Sequence, residues 1–309
     1  MKEQTVDLHM LLEVESVDEV RDEVILLHRL SFPGSSTLLF ERCFDDTVRL
    51  FSGNYEGYQS CKTEYHDLWH TLEVALATVR MTHAVVLSGR ELHPHVAELA
   101  LMSAMMHDTG YIQPTGESGT GGQYTLEHVE RSAEFFHQYS DRLGLSEHDK
   151  ERCCCIITAT SLSIDPDEII FPDPDTELAA KLVASADLIG QLSDRMYLEK
   201  LLFLYQEFRE AGIMAYANEL DLLSKTCAFY KMVQQRLDEK LDGLDRLLHL
   251  HFKSRWNIDS NLYHDSITLN FNYLEKLLKD SKDNYRSKLK RGGIVARIIR
   301  AEQAANGEQ

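Results

Sequence analysis

Apolar residues recur at three- and four-residue intervals along most of the chain. Val14, Val17, Val20, Val24, Leu27 and Leu30 form one such stripe, which predicts a helix over 13–30. Pro33 and Gly34, within Ser31 to Ser36, punctuate its end. Leu38, Leu39, Phe44, Val48 and Phe51 supply the inner face of a second helix, from about Thr37 to Phe51. Gly53 to Lys62 then reads as a connection. A central helix is expected from about His66 to Leu87, closed by Ser88-Gly89 as a helix C-terminus commonly is. Pro94 opens the next helix, where its missing N–H does no harm. Val96, Leu99, Ala100, Ser103, Met106 and His107 trace its inward stripe, and Gly110 stops it.

Gln113 to Gln123, with Pro114, Gly116, Gly119, Gly121 and Gly122, reads as a flexible loop. It follows His107-Asp108 directly, so a substrate lid is the functional reading and a plain connection the other. Thr125 is the expected N-cap of a helix carrying Leu126, Val129, Ala133, Phe136 and Leu143. Ser146-Glu147-His148-Asp149 has capping-box character and starts a helix through Cys153-Cys154-Cys155 to about Thr160. Asp165 to Asp175 is acidic, bears prolines and lacks helical spacing. From Thr176, Leu178, Leu182, Ala186 and Ile189 form the inner face of a helix that contains Asp187. Further helices are expected at about 194–211, 215–242, 243–252 and 260–280.

No series of alternating strands and no fixed repeat interrupts this pattern, so the expected architecture is all-α. The organisation it suggests is N-terminal helices over 1–62, a core over 63–252, and C-terminal helices with a basic tail over 253–309. In Lys282 to Arg300, basic Lys288, Lys290, Arg291, Arg297 and Arg300 interleave with Ile294, Val295, Ile298 and Ile299. This is a terminal helix docked by its apolar side, or an amphipathic partner or surface helix.

Composition narrows the function classes. Of 309 residues, 43% are hydrophobic and 27% charged, as in ordinary globular proteins. The net charge of −18 argues against partners such as nucleic acid and anionic membranes. It leaves room for a small anionic substrate, because a bound metal ion can reverse the local field. No apolar run is long enough to span a bilayer. Met1 to Met10, with Lys2, Glu3, Asp7 and His9, lacks a signal core. Six cysteines, three of them consecutive, do not form a disulfide framework and read as small buried residues in a reducing compartment. A cytoplasmic location is expected.

The candidate chemistry centres on Tyr65-His66-Asp67-Leu68-Trp69-His70-Thr71-Leu72-Glu73-Val74. On a helix, His66 and His70 would share a face that continues inward through Val74, Ala77 and Met81. Buried imidazoles need partners, which backbone carbonyls or a metal ion can supply. His107-Asp108, at the end of a second apolar helix, and Asp187, on a third, complete a set of inward polar residues.

A histidine, then adjacent His-Asp, then a distant aspartate resembles the ligand order of the HD-domain metal-dependent phosphohydrolases, over roughly Tyr65 to Asp187. Within that superfamily the chain is most similar to the cyclic-nucleotide phosphodiesterase catalytic domains. Their Tyr-His-Asn-x-x-His-Ala-x-Asp-Val is matched by Tyr65 to Val74 at the tyrosine, both histidines and the valine, with Glu73 in place of aspartate. Ala159-Thr160-Ser161-Leu162-Ser163 resembles their Ala-Thr-Asp-Met-Ser, Ala186-Asp187-Leu188-Ile189 their Ala-Asp-Leu-Ser, and Leu126-Glu127 their Leu-Glu.

The resemblance implies a compact bundle around a buried site for divalent metal ions, two of them, with Zn, Mn, Mg or Fe as candidates. It implies His70, His107, Asp108 and Asp187 as ligands, with Asp108 bridging. His66 would be the general acid, and Glu127 a carboxylate that orients a ligand or metal-bound water, its other reading being a solvated carboxylate in the first turn of a helix. His128 would contact phosphate or a second metal, its other reading being an ordinary helix histidine. The implied activity is hydrolysis of a phosphodiester or phosphomonoester of a small, anionic, nucleotide-like substrate. A homodimer is compatible with it.

Two departures matter. Tyr111 stands where the phosphodiesterases have a further histidine. Their purine-gripping glutamine and phenylalanine are matched in Leu223 to Phe229 by Thr226 and Phe229, and threonine cannot make a bidentate amide contact. Gln206 is the next candidate to read a base, and Phe229 has plain core as its other reading. Two alternatives remain: a non-catalytic metal-binding sensor or interaction module, and a di-iron oxygenase, against which the lack of histidine in Ile157 to Thr160 argues.

Overall fold

One helix is buried on nearly every side, and the others arrange around it. A computed structural model describes residues 6–11, 16–280 and 284–307. This central helix is α3 (Leu68–Leu87). It packs against α1 (Val17–Ser31), α4 (Pro94–Met106), α7 (Pro174–Ser193) and α10 (Leu248–Trp256). Its Leu72, Leu76 and Val79 join Val20, Val24 and Leu27 of α1 in one apolar cluster. Its Val74, Ala77 and Met81 join Leu182, Val183 and Ala186 of α7 in another. Thus α3 is the wall shared by two cores, which explains why it carries almost no polar face.

The first cluster also takes in Phe40, Cys43 and Phe44 of α2 (Leu38–Phe51), and Phe136 and Tyr139 of α5 (His128–Leu143). Cys153 and Ile157 of α6 (Glu147–Thr158) complete it. The second continues through α8 (Tyr197–Glu210), α9 (Glu219–Glu239) and α11 (Leu262–Asp280). Two short C-terminal helices follow, α12 (Tyr285–Lys288) and α13 (Ile294–Gly307). The described residues form no strand beyond one isolated bridge between Tyr58 and Pro114. The all-α expectation holds.

Several boundaries differ from those expected, each for a local reason. Asp67 caps α3 by accepting the His70 N–H at 2.9 Å, so the helix begins at Leu68 and His66 lies outside it. The Thr125 hydroxyl donates to the Gly122 carbonyl instead of capping, and α5 starts only at His128. Asn218 accepts the Asp221 N–H and sets the start of α9. Gly243, at φ +58°, and a 3-10 turn over Leu244–Leu247 occupy the stretch where a helix was expected from 243. Residues 13–15 of the first expected helix and 282–283 of the basic stretch lie outside the described residues.

α13 buries Ile294, Val295 and Ile298 and packs on α8, so the basic stretch is docked by its apolar side. The loop over 113–123 is tied at both ends. Gln59 donates its N–H to the Gln113 carbonyl at 2.8 Å, and Gly121–Tyr124 forms a 3-10 turn against α8. All six cysteines are free thiols, but only Cys43 and Cys153 are buried; Cys61 and Cys227 are partly exposed, and the α6 run turns Cys154 and Cys155 partly outward. No described helix is long and apolar enough to cross a membrane.

Candidate metal centre

Three helices bring four of the expected residues to one point. His70 sits in the first turn of α3, His107 and Asp108 follow the last residue of α4, and Asp187 projects from α7. His70 Nε2 lies 3.3 Å from Asp108 Oδ2 and 3.2 Å from Asp187 Oδ1. His107 Nε2 lies 3.2 Å from Asp108 Oδ2 and 3.7 Å from Asp187 Oδ1. One ligand atom each from His70, His107 and Asp187 falls within 4.8 Å of the others. His107 Nδ1 is hydrogen-bonded to the Ala104 carbonyl at 2.8 Å, which makes Nδ1 the protonated nitrogen and leaves Nε2 facing the carboxylates.

The donor set is one that a cation would complete. His107 Nε2 and Asp108 Oδ2 are buried, and neither has a hydrogen-bond partner. Burial opposes protonation of His70, yet the close carboxylates of Asp108 and Asp187 outweigh it and raise its pKa to about 10. Burial likewise opposes ionisation of Asp108, but the His107 imidazole beside it, with that of His70, holds it well below the usual carboxylate range. Two imidazoles and two carboxylates converging on buried atoms without partners fit a divalent metal ion, and the mixed nitrogen and oxygen donors suit Zn, Mn or Fe.

Beside the cluster, three rings stack. Tyr111 packs against both His66 (centroids 4.4 Å apart, planes 11°) and His128 (4.5 Å, 22°), whose own rings stand 5.9 Å apart. His128 Nδ1 is bonded to the Thr125 carbonyl at 2.8 Å, and its Nε2 stands 3.6 Å from Asp108 Oδ1. Burial pulls the His128 pKa below its ordinary value against the attraction of Asp108. Gly110 makes this stack feasible, since a Cβ there would come within 2.0 Å of the His128 carbonyl oxygen.

His66 is oriented by a carboxylate that the sequence reading missed. Its Nδ1 is 2.6 Å from Oε2 of buried Glu207 on α8, whose Oε1 accepts the Tyr65 N–H at 2.8 Å. The expected orienting acid, Glu127, is instead an exposed residue at the start of α5 with no capping contact, because the helix begins one residue later and leaves its carboxylate in water. Gln191 supplies another unforeseen link: it accepts from the Tyr65 hydroxyl at 2.9 Å and donates to Asp187 at its carbonyl and Oδ1.

A cavity of about 340 Å³ opens over His66, Asp108, His128 and Asp187. Its far wall comes from α8 and α9, including Leu201, Leu204, Phe208, Leu222, Thr226 and Phe229, so both expected substrate contacts lie on it. The Thr226 hydroxyl, however, donates to the Leu222 carbonyl of its own helix at 2.9 Å. Gln206 is exposed and does not line the cavity. No residue of 113–123 lines it, which counts against the lid.

Thr160 to Ser163 form the facing wall. Arg236 of α9 holds that segment by donating to the carbonyls of Ala159 (3.4 Å), Ser161 (2.8 Å) and Ile164 (3.1 Å). The guanidinium therefore joins the two walls.

A family model described as Npun_R2479-like matches residues 114–265. That stretch carries His128, Asp187, Glu207, Thr226 and Phe229, and it begins after His107 and Asp108. No curated protein matches the chain.

Proposed function

We propose that the chain is a metal-dependent phosphoric ester hydrolase. The observation that carries this reading is the pair of orphaned buried atoms, His107 Nε2 and Asp108 Oδ2, beneath an open cavity and beside a histidine fixed by a carboxylate. His70, His107, Asp108 and Asp187 would hold the ion. A divalent cation at such a site activates water and neutralises the oxygens of a phosphate ester.

The chain's own residues supply the rest. Because Nδ1 of His66 is engaged by Glu207, Nε2 is the nitrogen left to hand a proton to the departing alcohol oxygen. The stacked Tyr111 ring limits rotation of both His66 and His128. With its Nδ1–H given to the Thr125 carbonyl, His128 would present an unprotonated Nε2 beside Asp108, as an acceptor or as a ligand to a second ion. The apolar walls exclude water from around the ester.

The test is metal content of the purified protein together with hydrolysis of bis-p-nitrophenyl phosphate and p-nitrophenyl phosphate in added manganese. Bound metal with turnover of either ester supports the proposal. Bound metal without turnover of any phosphate ester would leave a metal-binding module in its place.

A further inference from the structure

We propose that the alcohol carried by the phosphate ester is apolar, a hydrocarbon or aromatic group, and not a nucleoside; this rests on the hydrolase reading above. His66, Asp108, His128 and Asp187 lie on the cavity floor, and the Ser161 and Ser163 hydroxyls of one wall are bonded to each other at 2.9 Å. Above the floor the opposite wall is Leu188, Leu201, Leu204, Phe208, Ile213 and Phe229. Apolar side chains reach the rim as well, where Leu126 is 75% exposed and Leu162 47% exposed.

A nucleobase carries several donors and acceptors, and each one buried without a partner costs about 1–3 kcal/mol. The described wall offers little to meet them. Gln191, the one amide side chain lining the cavity, is engaged at both ends by Tyr65 and Asp187. Thr125, Thr160 and Thr226 each donate to a carbonyl of their own segment. Lys225 sits at the mouth, where Asp221 and the Ala215 carbonyl hold its ammonium. What remains is face and bulk: the Phe229 and Phe208 rings, with Phe208 already stacked on Tyr216 at 5.5 Å. A flat or branched hydrocarbon gains from every one of these contacts, while a base gains stacking and loses hydrogen bonds.

The experiment compares two primary alkyl phosphates, 2-naphthylethyl phosphate and adenosine 5′-phosphate, each also as its methyl diester, with the manganese-loaded full chain. In parallel, calorimetry with metal-free protein compares 2-naphthylethanol with adenosine. The naphthyl compounds should win in both arms, by ~10-fold or more. Phe229→Ala should weaken 2-naphthylethanol binding by ~10-fold. Thr226→Val, which keeps the shape and removes the hydroxyl, should leave that binding equal or tighter. Tighter binding of adenosine, or loss of a preference for the adenosine esters on Thr226→Val, would overturn the inference. If neither ester is hydrolysed by metal-bound protein, the hydrolase reading fails, and the metal-free binding preference still decides this one.

Discussion

Glu207 reaches from α8 to His66 across 141 residues of sequence, its Oε2 lying 2.6 Å from the imidazole Nδ1. The same carboxylate takes the Tyr65 N–H, so it fixes both the ring and the backbone that carries it. A histidine outside any helix is thereby held as firmly as one within. Glu207→Gln keeps the shape and removes the charge. It should lower kcat by ~10–100-fold, the usual worth of a group that orients a catalytic or ligating histidine. KM and metal stoichiometry should stay unchanged. A rise in KM with kcat intact would make Glu207 part of the substrate site instead.

His66→Ala should retain the metal and lose turnover by ~10²–10⁴-fold for alkyl esters, which need a protonated leaving oxygen. For p-nitrophenyl esters, whose leaving group departs as an anion, the loss should be smaller. Equal losses on both kinds of ester would assign His66 to positioning or metal binding.

Asp108→Ala removes the carboxylate that touches His70, His107 and His128. Metal retention and hydrolysis should both disappear, and added metal should no longer raise the melting temperature. Full metal stoichiometry in this variant would take Asp108 out of the centre.

Acid should destabilise the fold through histidines remote from the cavity. Burial holds the pKa of His28 down at about 4, and burial with the Arg80 charge holds that of His251 at about 2, against an ordinary 6.5. As pH falls below 6.5 the unfolded chain takes up protons that the folded chain refuses. The stability present above that pH is therefore lost progressively toward pH 4. Both ring nitrogens of His28 lack partners, so His28→Phe should stabilise the protein by ~1 kcal/mol or more at neutral pH. Melting curves at pH 7.5 and pH 5 should show a larger gain at pH 5. An equal gain at both would place the titration elsewhere.

The parts of the site that were legible in the sequence are those where chemistry and periodicity coincide. His70, His107 and Asp187 stand on apolar stripes, where a polar residue demands an explanation, and the structure brings them together. Phe229 and Thr226 were placed by resemblance, and both line the cavity. Glu207 escaped because α8 carries Glu199, Glu207 and Glu210, two of them buried, and spacing alone does not say which meets His66. Its sharing a face with Phe203, four residues earlier, was the available signal. Glu127 takes its other reading, a solvated carboxylate, because the cap lies two residues past the expected Thr125 and a shift of that size near a helix start moves a side chain into water. His66 lines the cavity, though not through the helical spacing with His70 that suggested it, since the cap at Asp67 starts the helix after it.

Arg236 has a consequence for how such a cleft can vary. It stands on the same helix as Thr226 and Phe229 and grips three carbonyls of the opposing wall, so the two jaws form a single rigid part. Changes to the side chains between them alter the gauge of the cleft without disturbing the floor. Selection can then retool the chain for a different alcohol while the chemistry beneath stays in register.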